Sequence, residues 1–378
     1  MKYKLSDICE YVRGKVSVST LNTSTYISTE NMLPSKGGIV EATTLPPAES
    51  TQVYLKDDIL VSNIRPYFEK IWMANTDGGC SNDVLVFRAK PEINPIYLYY
   101  VLSDKQFFNY ATATSKGTKM PRGDRSAIME YEVRRHTRKE QDRMASILSS
   151  IDKKIELNNK INNNLYEQAR LIFTQEFITR SELPKGWEKS NLLDIADYLN
   201  GLAMQKFRPN EGEKGLQVLK IKELRQGFCD SDSEHCSQNI KPEYKIFDGD
   251  VIFSWSGSLL VDFWCGGHCG LNQHLFKVTS RKYDPWFFFS WTNYHLDKFI
   301  AIAADKATTM GHIKRENLSE AEVIIPNAAD YKRIGEVLSP LYTLIVENRI
   351  ENKKLSNLRD LLLPRLMSGE INIGEITL

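Results

Sequence analysis

No run of apolar residues in this chain approaches the roughly 18 that a membrane-crossing helix needs, so no bilayer span is expected. Met1, Lys2, Tyr3 and Lys4 lead into an amphipathic segment and not into the apolar region of a signal peptide. Cysteine is sparse, at Cys9, Cys80, Cys229, Cys236, Cys265 and Cys269. With no export signal expected, these read as free thiols in a reducing cytoplasm. There is no phosphate-cradling Gly-x-x-x-x-Gly-Lys-Ser/Thr loop, no glycine-rich cofactor loop and no convincing carboxylate set for a metal. Nucleotide-driven and metal-dependent chemistry therefore have no visible seat. An excess of charge is also missing: 49 Lys and Arg against 48 Asp and Glu leave a net +1, so charge must be read locally. With 42% hydrophobic residues in 378, the chain can bury a core in each of two domains.

What the chain does have is a long periodic stretch, residues 141–177. Its seam positions are Met144, Leu148, Ile151, Ile155, Asn158, Asn162, Leu165, Ala169 and Ile172. Alternating steps of four and three mark a heptad seam, and this length predicts a coiled coil of about 40 residues and roughly 60 Å. Residues numbered 190 higher (334 − 144) repeat it as Ile334, Leu338, Leu341, Ile345, Asn348, Asn352, Leu355, Arg359 and Leu362. Both copies carry two asparagines at the same two seam positions, so the chain reads as two copies of one unit, each ending in a long helix.

The repeat continues upstream. Leu5-Ser6-Asp7-Ile8 is answered by Leu192-Leu193-Asp194-Ile195, and Asp58-Ile59-Leu60-Val61-Ser62 by Asp250-Val251-Ile252-Phe253-Ser254. Ser81-Asn82-Asp83 corresponds to Leu271-Asn272-Gln273, and Glu132-Val133 to Glu322-Val323. In the first copy, β-like runs at 52–55, 59–64, 70–74 and 84–88 are separated by turn signals at Asp57-Asp58 and Asp77-Gly78-Gly79. Asn94-Pro95 and Asp284-Pro285 superficially resemble the Asn-Pro-Pro-Tyr motif of amino-methyltransferases, but both lack the second proline. A helix cap followed by proline in the first turn accounts for both.

Residues 111–125 (Ala-Thr-Ala-Thr-Ser-Lys-Gly-Thr-Lys-Met-Pro-Arg-Gly-Asp-Arg) carry four basic side chains, hydroxyls, two glycines and little to bury. The bland reading is a solvated connector. The functional reading is a loop contacting phosphates and base edges, since Lys and Arg beside exposed amides suit a polyanion. The second copy keeps polarity and charge at residues 306–317 but changes the details. The basic cluster at 134–139 enters the first long helix against its dipole, which hints at a bound anion. Residues 179–187 read as a linker. The later aromatics, among them Phe263, Trp264, Trp286 and Trp291, read as core, whereas Trp255 in a polar turn is a candidate to face a ligand. Cys265-Gly-Gly-His-Cys269 with His274 suggests zinc only weakly, because four ligands at suitable spacing are not matched by the first copy's lone Cys80.

These features together resemble the specificity subunit of type I restriction-modification systems over essentially the whole chain. The resemblance rests on residues 117–125, on 127–133 (Ala-Ile-Met-Glu-Tyr-Glu-Val) and on 308–315 (Thr-Thr-Met-Gly-His-Ile-Lys-Arg) with Leu318-Ser319-Glu320. It extends to Asn348-Arg349-Ile350 and residues 361–370. It implies a mixed α+β fold with two tandem recognition domains and two long helices forming an antiparallel coiled coil. The expected division is 1–137 and 179–328 for the recognition domains, 138–178 and 329–370 for the helices, and 371–378 for a tail.

The resemblance further implies a non-catalytic reader of double-stranded DNA, each domain binding one half of a split, asymmetric target while the helices set the spacer. Two DNA adenine methyltransferase subunits would dock on the helices, and motor-nuclease subunits can join. S-adenosylmethionine, magnesium and ATP would belong to those partners, and this chain would hold no cofactor or metal. The residues expected at the duplex are, in the first copy, Ser62, Asn63, Arg65, Tyr67, Asn82, Lys116, Thr118, Lys119, Arg122 and Arg125. In the second they are Ser254, Trp255, Ser256, Asn272, Gln273, Thr308, Thr309, His312, Lys314 and Arg315. Parallel helices would require the chain to travel about 60 Å back between them. The antiparallel register expected on the seam sets Asn158 against Asn352 and Asn162 against Asn348, with Met144 near Leu366. The competing readings are a lone adenine methyltransferase, opposed by the missing cofactor loop, and a coiled-coil adaptor that does not bind DNA.

Overall fold

The computed structural model describes residues 2–305 and 311–373. Two helices dominate, Arg138–Phe173 and Ala328–Ser368. The first continues into a π-helical turn at Thr174–Ile178. Neither glycine nor proline interrupts the first helix, whereas the second accommodates Pro340 and Pro364. Among the described residues no helix is long and apolar enough to cross a membrane. The chain forms two compact units, one comprising residues 1–153 and 355–378, the other 154–354.

In the first unit the strands are β1 (Lys2–Lys4), β2 (Cys9–Tyr11), β3 (Lys15–Ser17), β4 (Tyr26–Ile27), β5 (Ser50–Tyr54), β6 (Ile59–Ser62), β7 (Ile71–Met73), β8 (Gly78–Cys80), β9 (Val84–Ala89) and β10 (Glu132–Arg134). They make an antiparallel sheet β2-β9-β6-β7, a second sheet β3-β5-β8-β4 whose β4–β8 pair is parallel, and a ribbon β1-β10. Strands β6 and β9 are buried along most of their length because their neighbours in the sheet and the core below enclose both faces. The helix Pro95–Ser103 is started by Asn94, whose side chain accepts from the Ile96 and Tyr97 amides. Met144, Ala145 and Leu148 of the first long helix, with Leu363 and Leu366 of the second, share a core with Leu5, Ile8, Phe87, Leu98 and Phe107.

The second unit contains β11 (Glu188–Asn191), β12 (Asp197–Asn200), β13 (Leu216–Leu219), β14 (His235–Cys236), β15 (Lys245–Ile246), β16 (Val251–Ser254), β17 (Leu260–Phe263), β18 (Cys269–Leu271), β19 (Leu275–Thr279) and β20 (Glu322–Ile325). Its sheet β12-β19-β16-β17 and ribbon β11-β20 repeat those of the first unit strand for strand. The other sheet, β14-β13-β18-β15, keeps a parallel pair (β13–β18) and an antiparallel neighbour (β15), but its fourth strand lies beyond the parallel partner, whereas β3 lies beyond the antiparallel one. Aromatic side chains from Phe173 and Phe177 through Trp187, Phe253, Trp286, Phe287, Phe289 and Trp291 build the core, closed by Ile334, Leu338 and Ile345.

The repeat extends to polar detail. Asp58, 2% exposed, accepts from the Leu55 amide at 2.7 Å and from the Arg88 guanidinium at 2.7 Å. Asp250 accepts from the Phe247 amide at 2.8 Å and from Lys277 Nζ at 2.7 Å. Each carboxylate ties the turn before the central strand to the neighbouring strand, whose cation answers its charge; Asp58 is buried and Asp250 partly so.

The helices run antiparallel within each unit. Asn158 Nδ2 donates to Asn352 Oδ1 at 2.8 Å, and Asn348 Nδ2 to Asn162 Oδ1 at 2.8 Å. Asn158 Nδ2 also reaches Glu351 Oε2 at 2.7 Å, while Asn158 Oδ1 is buried without a partner. In the first unit the charged seam residue Arg359 donates to Asp152 Oδ1 at 2.8 Å, and Tyr100 Oη donates to Asp152 Oδ2 at 2.6 Å.

Three sequence expectations need correction, at Gly78-Gly79, Asp284 and Trp187, and the basic cluster at 134–139 gains detail. Gly78-Gly79 is strand β8 and not a turn. A side chain at Gly78 would collide with the Thr25 carbonyl and the Tyr54 hydroxyl, so the glycine serves close packing. Asp284 makes no side-chain cap; its carboxylate accepts from the Tyr331 hydroxyl at 3.0 Å, leaving proline alone to start that helix. In the basic cluster at 134–139 the cations stay exposed, and some of them also have partners within the chain. Arg134 lies on β10 and donates to the Ser368 carbonyl at 2.6 Å, Arg138 pairs with Asp142 at 2.9 Å, and buried His136 bonds the Tyr97 hydroxyl at 2.8 Å. The stretch read as a linker ends in Trp187, which is buried and donates from Nε1 to Asp330 Oδ2 at 2.9 Å.

Candidate nucleic-acid interface

Each unit gathers three loops at the end of its central strand. In the first unit these follow β6 (residues 63–69), precede β9 (81–83) and lead into the short helix Arg125–Met129 (114–124). Backbone hydrogen bonds weld them. The Asn63 amide donates to the Asp83 carbonyl at 2.8 Å, the Arg65 amide to the Pro121 carbonyl at 2.8 Å, and the Gly123 amide to the Asn63 carbonyl at 3.1 Å. Lys116 and Arg122 exchange amide–carbonyl bonds at 2.8 and 2.9 Å, which closes the basic loop on itself. Gly123 packs closely here: a β-carbon would lie 2.8 Å from Asn63 Oδ1 and Ile128 Cδ1, so those two side-chain ends would have to shift for any larger residue.

The cations are anchored rather than adrift. Arg122 pairs with Asp83 at 3.1 Å, Arg125 donates to the Asn82 carbonyl at 2.9 Å, and Lys116 pairs with Asp124 at 2.5 Å. That ammonium, with the Ala127 and Ser126 amides that Asp124 caps, holds the Asp124 carboxyl below the usual carboxylate range. Lys116, Thr118, Lys119, Met120, Arg122 and Arg125 are exposed, as are Asn82, Tyr67 and Phe68. Ser62 and Asn63 are buried: the Ser62 hydroxyl donates to the Ile64 carbonyl at 3.1 Å, so these two shape the loop and do not face solvent. Arg65 is partly buried and left-handed at φ 50°.

The second unit builds the same turn. The Ser254 hydroxyl donates to the Ser256 carbonyl at 3.2 Å and the Ser258 carbonyl at 2.9 Å. Gly257 donates to the Gly311 carbonyl at 2.9 Å and Ile313 to the Trp255 carbonyl at 3.1 Å, joining the loop after β16 to residues 311–315. Ser256 Oγ lies 3.0 Å from His274 Nδ1, and Trp255 Nε1 donates to Asn200 Oδ1 at 2.9 Å. Trp255 is therefore held partly exposed, with the exposed His312 edge-on at 6.3 Å between ring centroids. Lys314 and Arg315 are exposed. Ser254, Ser256 and Asn272 are buried and form the loop's frame, while Gln273 is partly buried with Oε1 lacking a partner. Thr308 and Thr309 lie outside the described residues.

Sequence reasoning missed Asp83, Asp124, His274 and Phe68. The carboxylates had a faint signal, acidic residues set within or beside a basic loop; Phe68 follows Tyr67, a residue expected at the duplex, and its exposure is visible only in the folded turn. Chemically, both sites offer hydroxyls, amides, guanidiniums and ammoniums on fixed backbones, the inventory for phosphates and base edges. Among the described residues no three His, Cys, Asp or Glu side chains converge as metal ligands. In the Cys265–Cys269 segment, His268 stacks on Phe247 at 4.4 Å and Cys265 is buried.

Comparison with known proteins agrees with this arrangement. The family described as "Type I restriction modification DNA specificity domain" matches residues 1–167 and again 184–357. The chain is 28% identical to the type I restriction enzyme MjaIX specificity subunit of Methanocaldococcus jannaschii, over 74% of this chain and 70% of that one. It is 20% identical to the HindI specificity subunit of Haemophilus influenzae, over 98% and 99%. In fold it is similar to the crystal structure of the type I restriction-modification S subunit from M. genitalium, with TM-score 0.56 and 16% identity over 97% of this chain and 96% of that one. Two tandem matches, each covering one set of sheets and loops, place this chain in the type I restriction-modification DNA specificity family.

Proposed function

We propose that the chain is the sequence-reading subunit of a type I restriction-modification complex and performs no catalysis itself. Residues 1–137 and 179–328 each read one half of a split duplex target, and the helices at 138–178 and 329–370 set the spacer. Two adenine methyltransferase subunits dock on those helices, and motor-nuclease subunits can join the assembly in the cytoplasm. S-adenosylmethionine, magnesium and ATP belong to those partners. The observation that carries this reading is the doubled cluster of welded loops, each presenting donors and cations from one end of a repeated sheet. The scaffold strands repeat, but the loop residues differ, so the half-sites differ and the target is asymmetric, unlike the palindrome of a true dimer. Summing two half-site energies on one chain makes the correct pair tight and either half alone weak.

The test is salt-dependent binding of duplex DNA by the intact chain with its methyltransferase subunits. Replacing Lys116, Lys119, Arg122 and Arg125 by alanine is expected to weaken binding and flatten the slope of log K against log salt by roughly one for each phosphate no longer neutralised. The ion pairs removed are exposed ones, so thermal unfolding should shift little. A coiled-coil adaptor without DNA binding predicts no salt-dependent affinity in either protein. An unchanged slope in the variant would make this loop a connector.

A further inference from the structure

We propose that Tyr67 and Phe68 form an aromatic wedge that enters a base step of the half-site read by residues 1–137, unstacking and bending it; this rests on the DNA-reading role proposed above. The two residues form the outer end of a short turn, Pro66–Phe68, at the tip of the loop after β6. They are 51% and 39% exposed and lie against each other with centroids 4.7 Å apart. Rings of this size are normally withdrawn from water, so a fold that holds two of them out together has put them to use.

Their support is strained backbone. Arg65 and Glu69, at φ 50° each, bracket the turn in the left-handed region, and the turn docked against it contains Ser35 at 53° and Lys36 at 60°. Of the five non-glycine residues with positive φ among the described residues, only Asp57 lies elsewhere. The two turns are locked: the Ser35 amide donates to the Phe68 carbonyl at 2.8 Å, and the Lys36 amide to the Glu69 carbonyl at 2.9 Å. Lys36 also pairs with Glu69 at 3.5 Å with both side chains largely covered. Strain persists only where the surroundings over-determine it, and it gathers where geometry is used.

The partner is identified by what flanks the rings. The basic loop is bonded to the same turn through the Arg65 amide and the Pro121 carbonyl, and it exposes Lys119 and Arg122 within two residues of that bond. An apolar tip rimmed by cations matches a base stack rimmed by phosphates, and not an apolar groove on another protein. Stacking on an aromatic tolerates any base, but opening a step is cheapest at pyrimidine–purine steps, so the wedge adds indirect readout at a position without base-edge contact. In the second unit Gly257 takes the place of Arg65, and the residues that follow it before β17, Ser258 and the buried Leu259, hold out no ring, so only the first half-site is opened.

The test uses the complete chain with its methyltransferase subunits and duplexes of the methylation-mapped target, with 2-aminopurine placed in turn at each step of the half-site assigned to residues 1–137. Stacking quenches this base, so the wild-type complex should brighten it several-fold at one step. Tyr67→Ala combined with Phe68→Ala should abolish that rise and weaken binding roughly fivefold or more, the scale of one base-on-aromatic contact, with the salt slope retained. The wild-type fluorescence decides the matter even if the double variant fails to fold. Tight, salt-dependent wild-type binding with no brightened step overturns the wedge and leaves the DNA-reading role standing. No salt-dependent binding at all overturns both. A folded double variant that keeps the rise but sheds its methyltransferase subunits overturns the wedge and assigns the rings to a protein partner.

Discussion

An asparagine on a helix seam is tolerated when another amide answers it, and the four here answer one another in pairs, Asn158 with Asn352 and Asn162 with Asn348. A slip of one heptad would set these amides against aliphatic side chains, or in one direction Asn158 against Arg359, so the pairs penalise slipped registers. Breaking one pair with Asn348→Ala should destabilise the protein by about 1–3 kcal/mol in chemical denaturation, because the buried Asn162 Oδ1 loses its donor while Nδ2 keeps only the Ile345 carbonyl. Replacing all four with leucine should raise the melting temperature while relaxing the spacing between half-sites that methylation maps report. A quadruple variant that melts lower would show that the amides stabilise and do not merely align. These pairs were legible because identical polar defects repeat in the sequence. Arg65 was not legible as a left-handed residue, since only tertiary contacts from residues 35–36 and Pro121 impose that conformation.

Two buried histidines set a pH response at the same scale. Burial pushes both His136 and His295 below the ordinary value of 6.5. The unfolded chain therefore takes up protons first as pH falls, and the stability present above about 6.5 is lost progressively below it. Glu140, held down by the Thr137 amide, and Glu176, held down by Arg333, lose their contribution only below their ordinary value of 4.5. Denaturation midpoints measured between about pH 6.5 and 4.5 should thus fall, and the histidines should account for the slope. Glutamine at both positions should flatten it; an unchanged slope would place the titrating groups elsewhere.

Elements were read from sequence with mixed success for physical reasons. The long helices announce themselves through a period no strand can satisfy, and β6, β7 and β9 through apolar runs bounded by turns. Strand β8 escaped because its glycines pack against Tyr54 and Thr25, a tertiary reason that looks like a turn in one dimension. The fourth strand of the smaller sheet differs in edge between units, although the shared three strands do not reveal it, because edge pairing is decided by loops of different length. The helices give the element-scale prediction. Inserting four residues into each at the same level adds about 6 Å, close to two base pairs of rise. A methylation map should then show a longer tolerated spacer with both half-sites unchanged, and an unaltered spacer would contradict the role given to the helices.

For the molecule as a whole, duplication explains why so much was visible: two copies of one pattern let each validate the other, down to the paired carboxylates Asp58 and Asp250. It also explains what stayed hidden, since the loops that differ between copies, to which the proposed function assigns the specificity, have no internal template. The near-neutral total of +1 fits a molecule whose cations are placed and anchored at two sites and not spread as a general polyanion surface. The central claim is that the two domains read independently. Its most direct test is genomic methylation mapping, by single-molecule sequencing, of cells carrying this chain with its methyltransferase partner, beside cells in which residues 1–137 come from a relative of different specificity. The account predicts a split, asymmetric adenine-methylated motif in the first case and, in the second, a motif changed in one half with the other half and the spacer preserved. A motif that changes in both halves, or methylation that is lost from a folded and assembled complex, would contradict it.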